Sequence, residues 1–346
     1  MTNDVNRKQG VLVKQYIQSS VRMVVGLAMA TLLLAISHSS IAVAQTANTL
    51  KVSPVRTDTV ILPGASKTVQ TTVTNLTGSD VTVRSSINDF VSADESGTPA
   101  LILDDDKYAE SHSLKRFITP IGNVVIPAGQ AKTINVLITV PEDAEAGGYF
   151  GAVRFSPADP DDGGQVNLSA SVASLILLTV PGDFVEELEL TDFAILQNGG
   201  SGSNFRTGEN LTAAVRFENT GAAQIGPFGK LSVMKGDTLV YETDFNNKDP
   251  RDMILPDSAR RWSIPIDKVE GFGNYTVLAT FTYGEDNQTI EVTKSFWVIP
   301  QYVIIAAIAA AVLLVGLIIF AIFMIRHRKS RRRSPGRRRG RGYRLH

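Results

Sequence analysis

Hydrolytic or redox chemistry in a protein chain needs nucleophiles, bases or metal ligands, and here the supply is short: four histidines and no cysteine in 346 residues. His38 lies in an apolar N-terminal leader and His327 and His346 in a basic tail, which leaves His112 for everything between. A Cys-His nucleophile pair or a His-rich zinc site therefore cannot form within this chain. A Ser-His-Asp triad would have to use His112, in the polar stretch Tyr108 to Ser113. Carboxylates are more plentiful. Asp104-Asp105-Asp106 and Asp159-Pro160-Asp161-Asp162-Gly163-Gly164 are the densest groups. Two carboxylates flanking a sugar bond suffice for glycoside hydrolysis, and oxygen-rich loops take calcium, although neither group alternates ligands and spacers around a glycine. Three readings stand: solvated loops, a weak calcium site formed by either loop, with Asp104 and Asp106 or Asp159, Asp161 and Asp162 as the candidate ligands, or a catalytic pair. No residue is singled out as catalytic or cofactor-binding, and the expectation is a protein that is not an enzyme.

The elements that must carry these loops are organised around Val303 to Ile325, twenty-three residues without a charge, followed by Arg326-His327-Arg328-Lys329. At about 1.5 Å per residue such a helix spans roughly 34 Å, enough for a hydrocarbon core about 30 Å thick. We read 301–325 as a transmembrane helix. Residues 326–346 carry eleven Lys/Arg and so are expected in the cytoplasm, with everything before the helix outside. Trp297 and Tyr302 fall where an interfacial aromatic belt would lie, and Trp297 also suits the last strand of the preceding domain.

The start of the chain agrees. Arg7, Lys8, Lys14 and Arg22 precede an apolar run from Met23 to Ile36, and Ala42-Val43-Ala44 precedes Gln45. This is the pattern of a signal peptide over 1–44, the h-region being short for an uncleaved anchor. The 34 basic and 34 acidic residues balance only overall. With the four basic and one acidic residues of the leader and the eleven basic of the tail set aside, nineteen basic face thirty-three acidic, a net charge of −14. An acidic ectodomain is a poor partner for nucleic acid. Lacking cysteine, it depends on ordinary hydrophobic cores, which some 256 residues can supply for two domains.

Between Thr49 and Pro181 short β-branched alternating runs are separated by turns. Lys67 to Leu76 and Val81 to Ile87 read as a hairpin around Thr77-Gly78-Ser79-Asp80, with further strands at Phe117 to Thr119, Ala131 to Val140, Gly148 to Phe155 and Val166 to Val180. Residues 183 to 299 restate the plan. Asn75-Leu76-Thr77-Gly78 is echoed by Asn219-Thr220-Gly221, Ile126-Pro127-Ala128-Gly129 by Leu255-Pro256-Asp257-Ser258, and Gly147-Gly148-Tyr149 by Gly273-Asn274-Tyr275, at offsets of 144, 129 and 126. We therefore expect an all-β chain: two tandem immunoglobulin-like β-sandwich domains, 45–181 and 182–300, plus the C-terminal helix. The Asn-Thr-Gly turns would reverse the chain with glycine at positive φ. Tyr149 and Tyr275 suit tyrosine corners, with ligand stacking as the other role for such aromatics.

Leu50-Lys51-Val52-Ser53-Pro54, Pro63-Gly64, Ile126-Pro127-Ala128-Gly129-Gln130 and Gly147-Gly148-Tyr149-Phe150-Gly151 together resemble the WxL-interacting protein family of Gram-positive-type cell surfaces. The layout of signal peptide, two immunoglobulin-like domains, one membrane helix and a basic tail is similar end to end. The resemblance implies a peptidoglycan-binding first domain, a protein-binding second domain, and partners bearing a Trp-x-Leu surface domain. No ligand-contact residue carries over.

Asp104 to Arg116 is long for a sandwich loop, and is either a contact region or a disordered insertion. Leu175 to Val180 is either a buried strand or an exposed edge for strand addition. Topology, tandem sandwiches and the thin catalytic inventory point to a membrane-anchored binding or scaffold protein at the cell surface, in contact with the lipid bilayer and with peptidoglycan or surface proteins. The alternatives are an accessory or catalytic component of an envelope carbohydrate-active system built on the Asp-rich loops, and a chaperone-like protein that donates or accepts a strand.

Overall fold

A computed structural model describes residues 49–158 and 171–331, with side chains as far as Arg326. The leader at 1–44, the cluster Asp159, Asp161 and Asp162, and the tail beyond Arg331 lie outside the described residues. Apart from one short 3-10 turn and a C-terminal helix, what is described is β-structure in two layered halves.

The first half contains β1 (Leu50–Ser53), β2 (Arg56–Val60), β3 (Ser66–Asn75), β4 (Val81–Ser92), β5 (Pro99–Leu101), β6 (Val124–Ile126), β7 (Ala131–Thr139), β8 (Gly147–Pro157) and β9 (Val172–Val180). One sheet runs β1-β3-β7, the other β2-β9-β8-β4-β5, with β6 also on β4. The second half contains β10 (Leu188–Gln197), β11 (Gly200–Ser201), β12 (Asn204–Phe205), β13 (Leu211–Asn219), β14 (Phe228–Lys235), β15 (Thr238–Phe245), β16 (Ser258–Ile266), β17 (Gly273–Tyr283) and β18 (Gln288–Val298). Its sheets run β11-β10-β13-β16 and β12-β18-β17-β14-β15. The wiring repeats. In each half the first strand pairs antiparallel with a neighbour in its own sheet, β1 on β3 and β10 on β13. The chain then crosses to the facing sheet and runs parallel to the last strand, β2 on β9 and β12 on β18.

Alternation drives the layering. In β7, Ile134, Val136 and Ile138 point inward while Asn135 and Leu137 face out, as a period of two requires. These meet Val73, Phe155, Ile176 and Leu178 from both sheets to form the first core. The second core is richer in rings: Phe217 lies 5.0 Å from Phe281 and 6.2 Å from Phe245, with edge-to-face or tilted contacts.

Several expectations need correction. β3 and β4 are not a hairpin, because β3 pairs with β1 and β7 while β4 pairs with β5, β6 and β8 in the facing sheet. Alternation marks a strand but not its partner. Residues 115–117 form the 3-10 turn, and only Ile118 makes a bridge, to Ile138. Neither Gly78 nor Gly221 has positive φ. The reversal is instead held by the buried side chains of Asn75 and Asn219. Asn75 Nδ2 donates to the carbonyls of Ser79, Ile126 and Pro127 at 2.7, 3.0 and 3.2 Å, and its Oδ1 accepts from the Thr77 amide and hydroxyl. Asn219 Nδ2 donates to the carbonyls of Ala223 and Ile254, and its Oδ1 accepts from the Gly221 amide. The two staples show that Ile126 corresponds to Ile254, an offset of 128, so the sequence echo that matched Ile126 to Leu255 slips by one residue. The residues at positive φ agree with the shorter offset, Gly129 matching Asp257.

The halves pack on each other. Phe90, Phe150, Ala152 and Leu177 of the first half form a small cluster with Met253 and Leu255 of the second. At the β4–β5 turn the Glu95 carboxylate receives Arg216 at 2.9 Å and Arg261 at 3.5 Å, and its carbonyl accepts the Arg261 amide at 2.7 Å. The run Leu175 to Val180 is a buried strand flanked by β8 and β2, not an open edge.

The helix α1 (Gln301–Arg331) follows β18 after two residues. Within its stretch Gln301–Arg326 the most apolar 18-residue window has a mean hydropathy of 3.2, and none of that window is buried against the rest of the chain. A helix apolar all round with no protein cover is a candidate membrane span.

Candidate binding cleft

The 104–116 insertion is ordered, and a single buried carboxylate orders it. Asp89, fully buried near the end of β4, accepts the Ala109 amide at 2.9 Å, the Ser113 hydroxyl at 2.6 Å and the Lys115 amide at 2.8 Å. Three donors from a seven-residue arc thus converge on one side chain that has no water to turn to. Leu114 is drawn fully into the first core beneath Gly151, where an added Cβ would stand 3.0 Å from that of Leu114. Lys115 Nζ donates to the carbonyls of Asp105 and Lys107 and lies 4.7 Å above the Tyr108 ring.

With the insertion held, its C-terminal part lies alongside the start of β8. The Phe150 amide donates to the His112 carbonyl at 2.8 Å, and Ser113 bridges Phe150 in parallel. His112 has a left-handed backbone, φ 58°, and its Nδ1 meets the Gly148 carbonyl at 2.6 Å. Its ring lies 6.4 Å from Tyr149 and 5.9 Å from Phe150. Tyr149 in turn tilts against Phe117 at 4.8 Å, and its hydroxyl donates to the Glu145 carbonyl at 2.9 Å. That last bond makes it a tyrosine corner, and Tyr275 repeats it by donating to the Glu270 carbonyl. The corner does not exhaust Tyr149, whose partly exposed ring also forms a wall of an opening.

That opening is a cleft of about 490 Å³. His112, Phe117 and Tyr149 give it an aromatic lining; Glu110, Arg116, Asp143 and Glu145 stand at it with mixed charge; Ala222 closes it from the second half. Burial, and next the nearby Glu145 carboxylate, push the Tyr149 phenol above its ordinary range, partly offset by its bond to the Glu145 carbonyl. The phenol is therefore a hydrogen-bonding group at neutral pH and no base. Partly exposed aromatic faces beside fixed polar groups suit sugar rings or peptide segments rather than a small apolar molecule.

The glycines of Gly147-Gly148-Tyr149-Phe150-Gly151 each have a spatial reason. Gly147 has φ 140°, and a Cβ there would meet the Ala222 carbonyl oxygen at 2.7 Å. Gly148 donates its amide to that same oxygen at 2.8 Å. The pair lets the second half close against the first beside the cleft, while Gly151 seats Leu114.

The aspartate candidates are placed differently. Asp104 caps its own turn, accepting the Asp106 amide at 3.1 Å and pairing with Lys107 at 3.3 Å. The Asp106 amide first, and then Lys107, hold its carboxyl below the usual carboxylate range. Among the described residues no three His, Asp or Glu side chains gather as metal ligands, so Asp104 and Asp106 stand alone as far as the structure reaches. Reading the sequence missed Asp89, although an aspartate among the apolar positions of a long strand, Ile87-Asn88-Asp89-Phe90, was a usable signal.

A smaller cavity of about 150 Å³ lies between the halves near Arg56, Asp252 and Arg260. Its charges are already engaged: Arg56 with Asp58 and the Arg251 carbonyl, Arg260 with Asp252 and the Met253 carbonyl.

No family model matches the chain. No curated protein matches it either. Among solved structures it is similar to the class 5 fimbriae chaperone CfaA, at 13% identity and a TM-score of 0.36 over 72% of this chain and 99% of that one. It is similar to the E. coli chaperone DraB at 15% identity and a TM-score of 0.32, over 72% and 98%. The Pseudomonas aeruginosa CupB2 chaperone gives 9% and 0.31, over 70% and 99%. Likeness at this level extends to neither activity nor partner.

Proposed function

We propose that the chain is a membrane-anchored, non-enzymatic binding protein of the cell surface, and that the cleft of the first half receives cell-wall peptidoglycan or a surface protein. The observation that carries this reading is the insertion pinned by Asp89, whose buried carboxylate fixes the loop so that its His112 lines one cleft with Phe117 and Tyr149. Ordering the loop seats Leu114 in the first core, and it also fixes the loop's exposed residues, Glu110, Ser111 and Arg116, as a preorganised recognition surface. Aromatic faces suit the sugar rings of a glycan strand, and the mixed charges of Arg116, Asp143 and Glu145 suit a peptide stem bearing both signs. The helix α1 would hold this surface at the membrane with the basic tail inside. The resemblance to WxL-interacting proteins supports the same arrangement, with a Trp-x-Leu surface domain as the protein partner. The test is a pull-down of the purified chain in detergent against insoluble peptidoglycan and against Trp-x-Leu surface proteins. Capture by either supports the reading, and failure with both overturns it.

A second reading rests on one observation. The outer edge of β18 pairs with β12 only at Trp297 and Val298, so among the described residues Gln288 to Phe296, paired with β17 on one side, have no strand neighbour on the other. This is an edge onto which a partner's strand could add, in the manner of a strand-accepting chaperone. Glu291 and Lys294 on that strand disfavour indiscriminate pairing. Hydrogen exchange of the β18 amides with and without a partner distinguishes the readings, because cleft binding leaves them unchanged.

A further inference from the structure

The second half ends in a group of aromatic side chains that the cleft does not use. Phe272 and Trp297 are 48% and 42% exposed, and their ring centroids stand 5.9 Å apart. Both lie at the end of the sandwich from which the chain departs, since Gly273 pairs with Val298. Tyr302, 64% exposed, is the second residue of α1. The turn Asp267 to Gly271 comes to the same place, because Lys268, Glu270 and Gly271 line one groove with Pro300 and Tyr302.

The geometry points to a membrane contact: we infer that the end of the second half bearing Phe272 and Trp297 rests in the headgroup layer of the bilayer that α1 spans, so that the sandwich sits on the membrane. The inference depends on α1 being a span. Only Ile299 and Pro300 separate β18 from α1. Two residues reach at most about 7 Å, and the interfacial layer outside the hydrocarbon is itself roughly 5 to 7 Å deep on each side. Pro300 has a fixed φ, and its carbonyl accepts the Val303 amide at 3.0 Å, which further limits the lift available. A linker this short keeps these rings at or close to the lipid surface. Tryptophan, with an apolar body and one donor, favours that layer, and Phe272 supplies apolar area beside it. The groove adds no net positive charge, since Arg206 and Lys268 stand with Glu209, Asp267 and Glu270. The occupant inferred is thus the lipid interface as such, zwitterionic lipid included, and not an anionic lipid in particular.

The chain has two tryptophans. Trp262 packs against Phe217 and Phe245 in the second core, so Trp262→Phe leaves Trp297 as the sole reporter while keeping an aromatic ring there. That variant, full length, is reconstituted in phosphatidylcholine vesicles with or without brominated acyl chains, and co-flotation is checked first. The expected result is a roughly twofold loss of Trp297 emission with bromines near the headgroup, a smaller loss with bromines near the bilayer centre, and no dependence on salt. Phe272→Asp should reduce the shallow quenching by about half, since a charge in that layer favours withdrawal into water. Emission unchanged by shallow bromines, in protein that floats with the vesicles, overturns the membrane contact while leaving the span intact. Protein that does not float overturns the span and the contact with it.

Discussion

Asp89→Ala should release the binding cleft without removing a residue that lines it. The substitution deletes three hydrogen bonds to a buried carboxylate. Ala109 and Ser113 are each 5% exposed, so two of the three donors lose their partner where water cannot replace it, whereas Lys115 is half-buried and can rehydrate. At about 1 to 3 kcal/mol for each stranded donor, with part of the third bond lost as well, local opening should become easier by about 3 to 5 kcal/mol. The assay is limited proteolysis under native conditions, because Lys107, Lys115 and Arg116 place trypsin sites in the insertion. With 1.4 kcal/mol to each tenfold, nicking between 107 and 116 should accelerate by about a hundred-fold to a few thousand-fold when reclosing outpaces cleavage. Asp89→Asn keeps one acceptor oxygen and should fall between. Ser113→Ala combined with Asp89→Ala should cost less than the two changes separately, by about 1 kcal/mol or more, since they share a bond. Nicking within threefold of wild type, or strict additivity with Ser113→Ala, would refute the claim that Asp89 holds the insertion.

Other consequences follow from the same structure. Asn75→Ala and Asn219→Ala should each destabilise their half by about 2 to 4 kcal/mol in denaturant titrations, and Asn→Asp should be worse than alanine, because it turns an oxygen toward the carbonyls that Nδ2 now satisfies. The contact between halves should weaken in acid. Arg216, hydrogen-bonded to Glu95, holds that carboxyl below its ordinary 4.5, so its contribution is complete above that value and disappears as pH falls through the lower folded one. Exchange of the Arg261 amide, which donates to the Glu95 carbonyl, should accelerate over that window, and Glu95→Gln should flatten the change. Gly148→Val should open the junction, since a Cβ there would stand 2.7 Å from Gln224 Oε1 and 3.2 Å from Ala223 Cα; an unchanged radius of gyration in small-angle scattering would count against it.

How far the sequence could be read depended on whether a feature was periodic or a matter of contact. The apolar run of α1 and the alternation of β7 are local patterns and were legible as a helix and a strand. The echo of Gly147-Gly148-Tyr149 in Gly273-Asn274-Tyr275 was legible because the corner uses a carbonyl only four or five residues away. Strand partnership was not, since β3 and β4 alternate equally well whether they pair or face each other across a core. The offset slipped by one at Ile126 because proline marked the repeat, whereas the structurally equivalent atoms are the carbonyls that Asn75 and Asn219 reach. The insertion 104–116 was visible as a candidate contact region, but its order depends on Asp89, about twenty residues upstream, and no local pattern links the two.

The most direct test of a wall-binding cleft is sedimentation of the chain with insoluble peptidoglycan, comparing wild type with Ser111→Trp and Arg116→Glu. Both positions are exposed at the cleft and outside the cores, so neither change should unfold the protein. The account predicts that wild type pellets with the wall, that Ser111→Trp, which fills the opening, remains in the supernatant, and that Arg116→Glu binds more poorly. Equal pelleting of all three would place any wall contact elsewhere, and wild type left in solution would remove peptidoglycan from the account.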